Sequence, residues 1–545
     1  MNEPKLGTGR TAGLFLLFAV VLVALHASLL RLPYYWDEAG YYIPAARDLF
    51  AGSLIPHSTP SNAHPPLVMA WLALCWKIFG QSIVVTRCAM LLMAALSLLG
   101  FFRLARTVAN TPVAIASTLL VAIYPVFFAQ SSLAQIDLAS AGFIFWGLES
   151  YFERRSVGSA VWFTLAALTK ETAILVPLAL LCCEVVSSLS KTKAPAAKAT
   201  SINAIFGTAK RRALPGLAHV WPLILPIIPL AAWYGFHYAR TGRVFGNPDF
   251  FRYNVQGTLH PLRIVLALFL RIWQAVGYLD LYVLTLACAA AMMFLPIKDW
   301  PSKDWQSKQK IEERSRINFA VQYSFLAIII MYVVALSVIG GAVLARYMLP
   351  VVPLIILISV STIWRRLPAW KAVLGVVALA FISSLFINPP YGFAPEDNLA
   401  YRDYIRLHQR AETFLRQRYP NARVLTAWPA SDELTRPYLG YVQKPVQVVR
   451  IENFSIEEML SAAEARSRFD VALVFSTKYQ PHSVFDRWRL WQQWKLRYFD
   501  FHLDIGPEAA ASVLGGNVVY AERRGGQWVG VITIQRFEEA RLSGL

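Results

Sequence analysis

A handful of charged and aromatic residues stand at the ends of apolar runs, where an ionisable group is costly without a partner or a task. Asp37 and Glu38 follow Pro33-Tyr34-Tyr35-Trp36, just after the first apolar stretch. Two adjacent acids near a bilayer surface suit a general base or a metal ligand. Asp137 closes the polar segment Gln130-Ser131-Ser132-Leu133-Ala134-Gln135-Ile136, which puts a third carboxylate between two apolar runs. Lys170, beside Glu171, separates two short apolar runs, Arg346-Tyr347 opens another ahead of Pro350, and Arg240 and Arg243 follow a further one. Cations at headgroup depth can neutralise a lipid phosphate. Tyr41, Tyr42 and His64-Pro65-Pro66 lie in the same loop as the acid pair.

Each of these residues also has a plainer reading. Asp37 could N-cap a helix over 38–50 and Asp137 the next apolar helix, with its charge at the positive end of the dipole. The tyrosines and Trp36 suit an interfacial belt. Lys170, Arg346, Arg240 and Arg243 could snorkel, and His64 before two prolines reads more as loop structure than as a metal ligand.

The elements that must position these residues are membrane helices. Of 545 residues, 56% are hydrophobic and 16% charged, too apolar for an ordinary soluble protein. Runs able to span a bilayer fall near 13–30, 82–101, 112–129, 138–152, 218–238, 278–296, 318–339, 347–363 and 371–388, with shorter ones at 159–169 and 173–186. They predict about eleven transmembrane helices. The first reads as an uncleaved anchor, because no small-residue cleavage site follows it.

Lys and Arg concentrate in alternate connections, at 5–10, 103–106, 154–155, 191–212, 298–316 and 365–371. Those connections are predicted to face the cytoplasm, which puts loop 31–80, loop 239–262, turn 340–346 and everything after about 389 outside. Much of the net charge of +19 is therefore a topology signal with possible contacts to membrane lipids, and nucleic acid is not an expected partner. The Ala/Lys-rich stretch 191–200 reads as a cytoplasmic loop.

After Asn388-Pro389-Pro390 the composition turns mixed. Helical periodicity over 397–419 and β-type runs at 423–426, 446–451, 471–475 and 528–534 predict a soluble α/β domain. The expected organisation is a transmembrane domain over 1–388, carrying outer loop 31–80, and an extracytoplasmic domain over 389–545. The cysteines Cys75, Cys88, Cys182, Cys183 and Cys288 show neither zinc-ligand spacing nor a disulfide framework.

No P-loop, G-x-G-x-x-G fingerprint, G-x-S-x-G elbow, H-E-x-x-H motif or cytoplasmic DxD pair occurs, so a nucleotide-sugar enzyme working inside the cell is poorly supported. What is present forms an ordered set: Asp37-Glu38, His64-Pro65-Pro66, Asp137, Leu168-Thr169-Lys170-Glu171 and Arg346-Tyr347-x-x-Pro350. Over about 10–365 it resembles the GT-C class of glycosyltransferases, in particular the branch of protein O-mannosyltransferases and bacterial lipid A aminoarabinose transferases. No single motif is specific; the order and the common face carry the resemblance.

That resemblance implies a GT-C-like polytopic enzyme of the bacterial inner membrane. It would use a polyprenyl-phosphate-linked sugar as donor and an extracytoplasmic acceptor (lipid, glycan or protein), and would invert the anomeric carbon. By carry-over, Asp37 is the base or acceptor-orienting carboxylate, supported by Glu38, and Asp137 shapes the cavity. Lys170 and Arg346 hold the carrier phosphate, with Tyr347, His64, Tyr41 and Arg240 lining the substrate side. Metal dependence varies within the class, which leaves the cofactor unknown and a divalent metal open. The rival reading is a transporter or flippase of envelope precursors, which also uses intramembrane charges and short paired helices. No inverted repeat is visible to support it. A scaffold for envelope assembly would have no essential acid.

Overall fold

A computed structural model describes residues 7–193, 217–297, 314, 316–479, 481, 488–499 and 501–534. The basic stretch 194–212, most of 298–316 and residues 1–6 lie outside the described residues. The chain is a multi-pass helical membrane protein, with one small sheet among the described residues. Among the described residues, six helical segments are long and apolar enough to cross a bilayer, among them Thr8–Leu25, Ile83–Val108 and Phe319–Val338. Four shorter apolar helices, Leu67–Phe79, Thr111–Ile123, Ser156–Thr169 and Trp370–Phe386, accompany them.

Local chemistry sets the helix limits. Helix Ile83–Val108 begins where the Ser82 side chain accepts from the Val85 amide at 3.2 Å, and Thr111–Ile123 where Asn110 accepts from Val113 at 3.0 Å. Each cap satisfies a backbone donor that the helix leaves open. The run at 112–129 is two helices, because Pro125 cannot continue the first and opens Pro125–Gln130 instead. Helix Asp137–Phe152 packs closely on Ile83–Val108. Gly142 lies against Ser97 with no room for a Cβ, the close approach that small residues permit between membrane helices.

Two regions depart from the sequence expectation. Loop 31–80 holds helix Leu67–Phe79, and just past 239–262 comes a helix not assigned from the sequence, Pro261–Val276. The second is amphipathic. Arg263, Arg271 and Gln274 share one face and donate to backbone carbonyls between Ser337 and Leu344, so this helix runs beside that segment.

The sheet has order β2-β1-β3-β5-β4. Strands β1 (Val424–Ala427), β2 (Val448–Ile451) and β3 (Val471–Phe475) are parallel, and β5 (Gln527–Ile534) joins β3 antiparallel. Strand β4 (Gly516–Arg524) pairs with β5 as a hairpin through Gly525-Gly526 and was not anticipated from the sequence. Helix Ala400–Arg418 packs on this sheet. Its core is shared with the first loop: Tyr35, Ala39, Tyr42 and Ile43 belong to the same packed cluster as Tyr404, Val471 and Phe475.

Candidate active site

Asp37 sits at a strained point of the first loop. Trp36, just before it, has φ +46°, a backbone region costing a non-glycine residue on the order of 1 kcal/mol. Ring contacts of Trp36 with Trp428 at 4.9 Å and Tyr404 at 5.9 Å hold it there. Asp37 makes no cap hydrogen bond, which corrects the plainer reading; its carboxylate accepts instead from Arg346. Asp137 is likewise no N-cap. It lies in the first helical turn, and its carboxylate pairs with Lys170 and, at 3.2 Å, with Nε of Arg346.

The guanidinium of Arg346 is therefore shared by three acids, Asp37, Asp137 and Glu396. Glu396 lies on the short turn Pro395–Asp397, after helix Trp370–Phe386. Gln135 donates to its carboxylate at 3.1 Å, and Gln130 to its carbonyl at 3.1 Å. Asp397 accepts from the Tyr278 hydroxyl at 2.6 Å. Lys170 stands 3.7 Å from the ring centre of Tyr347. Arg271, 5.5 Å from the centre of the same ring, is buried and donates to the Leu344 carbonyl at 2.7 Å.

Exposure distinguishes the acids. The Asp37 side chain is 33% exposed, whereas Asp137 and Arg346 are each at 2%. A reacting group could therefore meet Asp37 first. Burial pushes the Glu396 carboxyl up to about 8; Arg346 opposes the shift, and Asp37 and Asp397 add to it. Burial also raises Asp397 to about 7, against the Tyr278 hydrogen bond and Arg346. Raised in this way, Glu396 and Asp397 carry less negative charge near neutrality than ordinary carboxyls.

The remaining sequence candidates fall outside this cluster. Glu38 is fully buried, held by Arg87 and by the Tyr35 amide at 2.9 Å. Arg87 also donates to the carbonyls of Ser132 and Pro33 at 2.9 and 3.0 Å, which ties the Asp37 loop to the Asp137 loop. His64 contacts Glu171 at 3.1 Å and lines a narrow cleft with Tyr41 and Trp233. Arg240 is exposed near the end of helix Ile227–Thr241. Glu396, Asp397 and Arg87 were missed from the sequence. The lone Arg within the apolar run 82–101 was a legible signal for Arg87, whereas the two acids looked like ordinary linker residues.

The helical bundle joined to a small α/β sheet resembles the fold of GT-C enzymes. Among solved structures, the ArnT of Cupriavidus metallidurans in the apo state has this fold at TM-score 0.53 and 14% identity, over 96% of this chain and 98% of that one. The same protein bound to undecaprenyl phosphate aligns at TM-score 0.48 and 15% identity, over 96% and 98%. An Archaeoglobus fulgidus oligosaccharyltransferase in complex with Zn and sulfate aligns at 0.43 and 12%, over 85% and 67%. Residues 63–209 match the family described as dolichyl-phosphate-mannose-protein mannosyltransferase, a stretch with His64, Asp137 and Lys170 but neither Asp37 nor Arg346. No curated protein matches by sequence.

Proposed function

We propose that this protein is a glycosyltransferase moving a sugar from a polyprenyl-phosphate donor to an extracytoplasmic acceptor, with inversion. One observation carries the reading: Arg346 gathers Asp37, Asp137 and Glu396 at one end of the bundle beside Lys170. The description of the family matched by residues 63–209 supports a lipid-phosphate donor, and the distribution of basic residues supports an inner-membrane protein with residues 389–545 outside the cytoplasm.

In this mechanism the donor phosphate docks against Lys170 and Arg346, competing with the carboxylates now on them. Displaced from Arg346, Asp37 becomes free to accept the proton of an acceptor hydroxyl as its oxygen attacks the anomeric carbon. The bond from that carbon to the phosphate oxygen breaks, and the polyprenyl phosphate leaves as an anion held by the two cations. Such a leaving group needs no general acid, so a base and charge stabilisation suffice. Glu38 fixes the loop from behind through Arg87, while Tyr347 orients Lys170. Tyr41 and His64 border the substrate cleft, and Arg240 offers a headgroup contact at its rim.

The test is transfer of radiolabelled sugar from a synthetic polyprenyl-phosphate donor by the protein purified in detergent, with lipid and protein fractions of the envelope as acceptors. Ion-coupled uptake into proteoliposomes without sugar release would favour a transporter and defeat this reading.

A further inference from the structure

Behind the Asp37 loop lies a second cluster of ionisable groups that the transfer chemistry does not use. His408 and Glu412 are one turn apart on helix Ala400–Arg418, a spacing that puts both on one face. Glu433 comes from the short helix Ala430–Thr435. All three are buried, and their ligand atoms lie within 4.8 Å of one another. His408 Nδ1 and Glu433 Oε2 are 2.6 Å apart. That leaves both oxygens of Glu412, Oε1 of Glu433 and Nε2 of His408 buried without a hydrogen-bond partner.

Two acids and an imidazole in one dry spot are costly unless protons or a cation offset their charge. Arg416, one turn beyond Glu412, acts on it from a distance but donates no hydrogen bond to it. The hydroxyls of Tyr404 and Tyr441 are also buried and unpartnered, and both feel the charge of Glu433 and Glu412.

We infer that His408, Glu412 and Glu433 form a binding site for a divalent first-row transition metal of the zinc type, which locks the sheet domain against the Asp37 loop. One nitrogen and two carboxylates match the ligand preference of such ions. Donors at about 2.0–2.2 Å from one ion sit roughly 3–4 Å apart, so the three side chains need only small shifts. The ion would join the two elements that brace the loop. Tyr404 stacks on His408 at 3.9 Å and meets Tyr35 at 5.2 Å. Trp428, just before helix Ala430–Thr435, packs on Trp36.

The test uses tag-free full-length protein in detergent, stripped with chelator, reloaded with Zn²⁺ or Co²⁺ and dialysed. About one equivalent of metal per chain is expected, with the visible absorption of low-coordinate Co²⁺ and a melting temperature raised by several degrees. Glu412→Gln and His408→Gln should each lower metal retention at least tenfold. If either fails to fold, metal uptake and the Co²⁺ spectrum of the unaltered protein decide. Metal below about a tenth of an equivalent, retention unchanged in both variants, or a Glu412→Gln protein stabilised regardless of chelator would overturn the site. The last result would mark Glu412 and Glu433 as carboxyls sharing a proton.

Discussion

Arg346 donates to the carboxylate of Asp37 across 309 residues of chain. The two side chains belong to elements with nothing in common locally, a strained loop before Glu38–Tyr42 and the short turn Ala345–Met348. The same guanidinium reaches Asp137 and Glu396, so no acid of the cluster can be altered without redistributing its charge.

Replacing Asp37 by Asn should remove the proposed proton acceptor while keeping shape. Turnover is expected to fall about 10²–10⁴-fold, the usual contribution of a general base, with the protein still inserted and still binding donor lipid. Single-turnover transfer in detergent, alongside donor binding to the same preparation, checks this. A turnover within twofold of the unaltered protein would exclude the role.

Lys170→Ala should act on donor use. Loss of one of the two cations proposed to hold the phosphate predicts a rise in donor KM of about tenfold, corresponding to ~1.4 kcal/mol. Arg346→Ala is expected to be harsher, because Asp37, Asp137 and Glu396 lose the guanidinium they share and only Asp137 keeps a second cation, Lys170. Arg346→Lys should fold better than Arg346→Ala yet transfer poorly, since an ammonium cannot fork to three acids. Melting temperature and donor titrations separate the two effects.

The Glu38–Arg87 pair predicts a coupling. Both side chains are buried, so Arg87→Ala alone strands a carboxylate, at about 3–5 kcal/mol. The double variant Glu38→Gln with Arg87→Ala should be less destabilised than the sum of the singles. Thermal unfolding of the four proteins in one detergent measures the difference.

Stability should fall as pH rises through the window set by Glu396 and Asp397. Both carboxyls titrate higher when folded, at about 8 and about 7, than their ordinary values of 4.5 and 3.8. Between those limits the unfolded chain has lost protons that the folded one keeps, so raising the pH favours unfolding. The contribution is fully present below about pH 4 and gone above about pH 8. Glu396→Gln should flatten that slope in melting curves taken from pH 5 to 9. Donor affinity should drop over the same upper range, as newly ionised acids compete for Arg346.

Much of this arrangement could be read from residue order. The apolar runs, helix 397–419 and four strands were legible because each follows a local period or boundary. The alternation of basic loops leads to the expectation that Asp37, Asp137, Lys170 and Arg346 share one end, and their ion pairs bring these four together. Glu396 was not legible, because its environment is made by Gln130, Gln135 and Arg346, all distant in sequence. Helix Pro261–Val276 escaped because its apolar content is interrupted by the arginines that fasten it to 337–344. Strand β4 escaped because its residues are only half-buried and mixed in polarity.

The loop bearing Asp37 shares its packed interior with β3 and helix Ala400–Arg418. The loop and the sheet are therefore expected to lose their order together on heating. The carboxylate proposed as the base is thereby seated on the sheet's own packing.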